Sequence, residues 1–140
     1  FTIETWIYFN DVTSEQEFID FRPASTNGAY PMIYVQSGTI RYFVSSSDRI
    51  TSGTLTTGTW YHLAVVRNGT TTTMYINGTS AGTYSDTNSY LCGANRPIVG
   101  CAGSSIINYF NGYIDDLRIT NGVARYTANF TPPTSALPTY

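Results

Sequence analysis

Lysine is absent: all seven cations are arginine, set against nine carboxylates, for a formal net charge of −2. Without a basic stripe there is nothing to neutralise a polyanion, which excludes nucleic-acid binding and attraction to an anionic membrane surface. Charge of either sign is scarce, 11% of residues against about 25% in an ordinary domain. No apolar run approaches the roughly 18 residues of a spanning helix, so membrane insertion is not expected, and no signal-like segment opens the chain. Apolar residues nowhere hold a 3.6-residue period for three turns, so no helix longer than a turn or two is expected. There is one histidine, His62, and two cysteines, Cys92 and Cys101. These make a weak case for zinc, whose structural sites take four protein ligands. Bridged, the cysteines would stabilise the fold by roughly 2 to 3 kcal/mol; unbridged, they would be small core residues. Spacing leaves both readings open.

What fills the chain instead is hydroxyl, amide and ring: 12 tyrosines among many Thr, Ser, Asn and Gly. At 140 residues one domain is expected, able to bury roughly 68% of its unfolded surface. Residues 1–9 alternate with both faces largely apolar, which suits a strand inside a sandwich. Residues 17–22 read as a short strand closed by a 23–28 loop that contains Asn27-Gly28. Residues 30–36 and 39–45 flank a Ser37-Gly38 hairpin turn, and residues 60–67 and 72–76 are strands followed by Asn68-Gly69 and Asn77-Gly78, both expected as type I′ turns. Residues 45–59 and 79–95 read as irregular, the latter with at most one short strand, and Ile98-Val99 as a strand. Residues 110–126 form the most constrained segment, a long central or closing strand over 110–119 followed by an Asn121-Gly122 turn and a coil ending ANFTPP. One extra residue at Asp115-Asp116, a β-bulge, would put Phe110, Gly112, Ile114, Leu117 and Ile119 on one buried face. The Pro-rich stretch after residue 131 cannot join a ladder and reads as a wrapping tail or a linker. Short strands and frequent turns predict an all-β fold, a two-sheet antiparallel β-sandwich or jelly roll. The chain starts without Met inside a strand and is expected to be a domain, residues 1–131 with a 132–140 tail, cut from something longer.

Three segments in order, FTIETWIYF, WYHLAVVRNGTTTTMYINGTSAG and FNGYIDDLRITNGVARYTANFTPP, resemble the laminin-G-like, concanavalin A-like lectin and glucanase family. The resemblance covers most of the chain and implies a jelly roll. The ending GVARYTANFTPP is similar to domains of bacteriophage tail and fibre proteins, which implies an adhesion role on a virion or another extracellular surface. One fold hosts many activities, so function has to be argued from residues.

Glucanases of this family carry E-x-D-x-x-E or E-x-D-x-E on one strand, for a retaining pair about 5 Å apart. The nearest match is EQEFID. Alternation puts Glu15 and Glu17 on one face and Asp20 on the other, so no enzyme is expected. Asp115 and Asp116 are read as hydrogen-bonding at the bulge or pairing with Arg118 or Arg67, with calcium the alternative and no other cofactor expected. His62, in phase with Trp60, Ala64 and Val66, is read as a packing residue. Tyr8, Tyr61 and Tyr75 are assigned to strand cores, whereas Tyr30, Tyr84, Tyr90 and Tyr109 adjoin loops. Sugars bind by stacking C–H faces on rings and by hydrogen bonds to amides, arginines and carboxylates. The carbohydrate-binding candidates are therefore Asp48, Arg49, Tyr84, Tyr90, Asn95, Arg96 and Tyr109, on loops 45–58 and 83–105 and beside them. Asn68, Asn77 and Asn129 head N-x-T sequons, which a secretory host could glycosylate and which otherwise serve as turn residues. The expected partner is a surface glycan, met by a non-catalytic module alone, in a homo-oligomer or beside neighbouring domains. The alternative is a structural spacer or oligomerisation unit of a fibre with no ligand of its own.

Overall fold

In the computed structural model, which describes residues 1–24 and 28–138, the described residues form ten strands and no helix. They build two five-stranded antiparallel sheets. The first runs β10 (Gly112–Thr120), β1 (Thr2–Phe9), β6 (Trp60–Asn68), β7 (Thr71–Ile76), β8 (Thr79–Ser85). The second runs β5 (Ser47–Thr51), β4 (Thr39–Val44), β3 (Met32–Gln36), β2 (Gln16–Asp20), β9 (Ile98–Val99). Period-2 alternation sends Ile3, Ile7, Phe9, Leu63, Val65 and Met74 from one sheet, and Phe18, Ile33, Val35, Ile40 and Tyr42 from the other, into a shared core.

The expected both-faced burial of β1 has a simple origin. It pairs with β6 on one side and β10 on the other, and its outward residues lie partly under the C-terminal coil. That coil seats Tyr126 and Phe130 against Ala64, Val66 and Tyr75. The Tyr126 and Phe130 rings stack at 3.6 Å. Phe130 N donates to Gly78 O at 2.9 Å, and Ser80 N donates to the Asn129 side chain at 3.0 Å. Buried Glu4 ties the coil to β1. Its carboxylate accepts two bonds from Arg118, at 2.9 and 2.7 Å, and one from the Tyr126 hydroxyl at 2.8 Å. His62 is fully buried there, its Nε2 3.6 Å from Glu4, between the Trp6 and Phe130 rings. It packs as expected, but its ring nitrogens have no hydrogen-bond partner among the described residues.

Several expectations need correction. The bulge exists: Glu4 faces Arg118 and Trp6 faces Asp115, with Asp116 at φ 51°. It shifts the phase as anticipated, because Ile114 and Ile119 oppose Ile7 and Ile3 of the same β1 face. Of the two positions expected, central or closing, the strand takes the second, as the edge that closes its sheet. Leu117 and Ile119 accordingly stay exposed, and Phe110 lies before the strand, packed on Phe9 and Phe18. A Cβ at Gly112 would stand 2.0 Å from the Tyr8 carbonyl, so no side chain fits where β10 meets β1. Residues 45–59 contain β5, and residues 79–95 contain the seven-residue β8. Both are edge strands with few apolar residues, and so carry little alternation to read. The Asn77-Gly78 turn has both residues at positive φ, as type I′ requires, but after β6 only Gly69 does, and the turn sits at Gly69-Thr70 between the paired Asn68 and Thr71. Cys92 and Cys101 are free thiols, one exposed and one buried. Asn27 of the Asn27-Gly28 pair, and the last two residues of the tail, lie outside the described residues.

Candidate functional site

Three rings cross the outer face of the first sheet in one row. Tyr8 on β1 sits directly opposite Trp60 on β6 and Tyr113 on β10, so the pleat points all three the same way. Ring centroids are 5.6 Å apart on each side of Tyr8. The outer members are open to solvent, Trp60 at 42% and Tyr113 at 61%. That exposure matters because large rings are ordinarily among the most buried side chains, and contiguous exposed apolar surface marks an interaction site.

Two residues further along β1, the row runs into an open pocket of about 590 Å³. It is lined by Trp6 and Trp60, by Asp115 and Asp116, and by the coil residues Thr131 to Ala136. Trp6 pairs with Asp115, which places that carboxylate on the ring-bearing face. The bulge is held by Thr5, whose hydroxyl donates to Asp115 O at 2.8 Å, and by Asp116 N, which donates to Asp115 Oδ1 at 2.9 Å. The structural reading of the acidic pair is met in part: one carboxylate hydrogen-bonds at the bulge. Neither pairs with Arg118, which is committed to Glu4, or with Arg67, which bonds Asn88 O and Asp86 O. Among the described residues no group of three His, Cys, Asp or Glu side chains could hold a metal ion. Apolar ring faces next to the exposed Asp115, the half-buried Asp116 and the hydroxyls of the coil suit a sugar, which has an apolar C–H face and a rim of O–H donors and acceptors.

The residues named from sequence are distributed differently. Asp48 and Arg49 lie on β5, not in a loop. Asp48 accepts from the Tyr34 hydroxyl at 2.8 Å and from Arg41 at 3.1 Å. Arg49 stands 5.1 Å over the Tyr84 ring and donates to the Val44 and Ser45 carbonyls. Tyr84, on β8, accepts from Asn88, which also bonds Asp86; the Tyr90 hydroxyl donates to that same Asp86 and accepts from Tyr42 at 2.6 Å. Arg49, Tyr84 and Tyr90 are thus brought together, as parts of a network that fastens the 85–91 segment to the sandwich. Asn95 sits at φ 59°. Arg96 donates to Arg22 O and Gly103 O, both at 2.7 Å, and so splints two loops. Tyr109 is exposed and apart from the others.

Sequence reading missed Trp6, Tyr8, Trp60 and Tyr113 as a group. Their signal is an outward position on three strands that turn out to be neighbours, and strand order is invisible in a single sequence.

The acidic motif also folds unexpectedly. A register shift between Glu17 and Ile19 in β2 leaves Glu17 opposite Tyr34 and Asp20 opposite Met32. Glu17 and Asp20 therefore share the outer face, correcting the alternation that separated them. Asp20 is nonetheless closed off: Arg22 Nε and Nη2 bond it at 2.8 to 3.1 Å and Gly103 N at 2.8 Å.

No match was found among the curated proteins. Among solved structures, the native heptameric SAP-like pentraxin from Limulus polyphemus superposes with a TM-score of 0.61 at 20% identity, over 84% of this chain. The match spans 61% of the pentraxin chain, and at that identity the likeness is one of fold. The Laminin_G_3 family model, described as Concanavalin A-like lectin/glucanases superfamily, matches residues 1–125. With its two five-stranded antiparallel sheets in that arrangement, the chain belongs to the concanavalin A-like lectin/glucanase superfamily.

Proposed function

We propose that this chain is a non-catalytic carbohydrate-binding module of an extracellular or virion-surface protein, and that it holds a surface glycan on the Tyr113–Tyr8–Trp60 row and in the adjoining Trp6 pocket. The observation that carries the reading is the row itself: three rings on neighbouring strands, the outer two exposed, leading into a recess lined in part by two carboxylates. A lectin-type superfamily makes a sugar ligand a reasonable occupant, and the near absence of net charge suits a neutral glycan. Virion display rests on the likeness of the C-terminal motif to phage tail and fibre domains. Multivalent presentation, by copies of the chain or by neighbouring domains, would raise a weak single-site affinity to a useful one.

The test is a glycan array followed by calorimetric titration of the best binder. Stacking on one ring contributes about 1 kcal/mol, so Trp60→Ala and Tyr113→Ala should each weaken binding by about fivefold and leave thermal stability nearly unchanged. Full affinity in both variants would remove the row from the site. An array without any binder would favour the spacer reading, and release of reducing ends from the bound glycan would overturn the non-catalytic one.

A further inference from the structure

The opposite side of the sandwich carries a second recess. Glu17 faces outward opposite Tyr34, the β2 bulge brings Asp20 to the same face, and the loop 101–108 folds back over the strand, with Glu17 N donating to Asn108 O at 3.2 Å and Gly103 N to Asp20. Between loop and sheet lies a space of about 340 Å³, lined by Glu15, Glu17, Arg22, Tyr34, Phe43 and Ser104 among others.

The charges around it do not close. From β2 and the residue pair that follows it, Asp20 and Arg22 form a buried ion pair. From β3, β4 and β5, Tyr34, Arg41 and Asp48 satisfy one another. That leaves Glu15 and Glu17. Glu15 is served on both oxygens, by Asn108 at 3.0 Å and by Gln36 at 3.0 Å. Among the described residues the Glu17 side chain receives a single, long 3.4 Å contact, from the same Asn108 amide on Oε1. Its Oε2 has no partner among the described residues, although the residue is 2% exposed. Buried carboxylate oxygens are almost always hydrogen-bonded, so an orphan at a recess is an acceptor waiting for a donor.

We propose that this recess binds an amino sugar with a free ammonium group, the ammonium donating to Glu17 and facing Glu15. A cation is preferred over a neutral hydroxyl because two carboxylates face the space with no uncommitted counter-charge beside them, and an anion is repelled. A metal ion is less suited, since the described residues hold no cluster of three ligands. The Tyr34 and Phe43 rings and the Ser104 hydroxyl supply the mixed apolar and polar walls a sugar body requires. Exposed Ser105 and Ile107 border the recess on its solvent side. The site is independent of the aromatic row, which lies on the other sheet.

Burial pushes the Glu17 carboxyl up to about 7, against the Asn108 bond and with the Glu15 charge reinforcing it. Its ionised form, the one that receives an ammonium, therefore dominates only above neutrality. The experiment is an NMR titration of the whole chain with glucosamine at about pH 7.5 and about pH 5.5, with N-acetylglucosamine and Nα-acetyl-lysine amide as separate arms. Expected are saturable shifts at Glu17 and Asn108 with glucosamine alone, and binding about tenfold weaker at the lower pH, where Glu17 holds its proton. The isosteric Glu17→Gln variant should weaken binding about as much, while Trp60→Ala leaves it unchanged. If Glu17→Gln does not fold, the wild-type pH profile decides. Absence of a saturable shift, equal binding of N-acetylglucosamine, or full affinity in a folded Glu17→Gln variant overturns the proposal. Preference for the lysine amide overturns it in favour of a protein side chain.

Discussion

The crossing of the C-terminal coil over the β7–β8 hairpin is testable at one glycine. Gly78 has φ +76°, and a Cβ there would lie 1.8 Å from the Phe130 carbonyl oxygen, deep inside van der Waals contact. Gly78→Ala therefore incurs two penalties. The left-handed backbone costs a non-glycine residue about 1 kcal/mol. Displacing Phe130 loses its bond to Gly78 O, about 1 kcal/mol net, and loosens its rings' contact with Tyr126, Tyr75 and His62, each such contact being worth about 0.5 to 1.5 kcal/mol. The sum is about 3.5 to 6.5 kcal/mol if all three contacts are lost. Gly69→Ala is the control, because Gly69 has φ +58° and no atom of the described residues within 4 Å of its would-be Cβ, so only the backbone penalty of about 1 kcal/mol applies. Urea melts followed by tryptophan fluorescence should separate the two variants by at least about 2 kcal/mol, or several degrees in Tm. Phe130→Ala should be largely non-additive with Gly78→Ala, since both act through the same docked coil. Equal destabilisation at the two glycines would refute the claim that the coil is part of the folded core.

Arg96→Ala should lower stability by about 1 to 3 kcal/mol in thermal melts, since the guanidinium bonds Arg22 O and Gly103 O across two loops; an unchanged Tm would show the splint to be idle. Stability against pH should peak near pH 5. Glu4 lies below its usual 4.5 because, although burial opposes ionisation, His62, Tyr126 and Arg118 favour it, so its contribution is present above about pH 4.5 and is lost on acidification. Glu17 runs the other way: its carboxyl, raised to about 7, favours the folded state at low pH and loses that contribution as pH rises through 7. In urea melts across pH, Glu17→Gln should flatten the decline between about pH 5 and pH 7 and leave the acid limb intact. EDTA is expected to leave Tm unchanged, because the acidic pair at the bulge is read as structural. A drop of several degrees, restored by calcium and absent in Asp115→Asn, would assign a metal to Asp115 and Asp116.

How much was legible follows from which signals are local. Alternation over residues 1–9 and 60–67, the Asn77-Gly78 turn and the extra residue at Asp115-Asp116 depend on side-chain phase and backbone φ, both written in short windows. The sequence by itself thereby determined an all-β sandwich and the phase change in its last strand. Strands β5 and β8 escaped because an edge strand buries one face at most, and theirs is largely polar. Tertiary structure alone decided which strands are neighbours. That one fact sets Tyr8 between Trp60 and Tyr113, makes residues 112–120 an edge, and drapes the coil over Glu4. It also commits Tyr90 and Arg96 to holding loops in place and, through a bulge no alternation rule anticipates, turns Glu17 and Asp20 to the same face. Pairing partners more than a hundred residues apart are chosen by the collective burial of the core, and no local pattern encodes that choice.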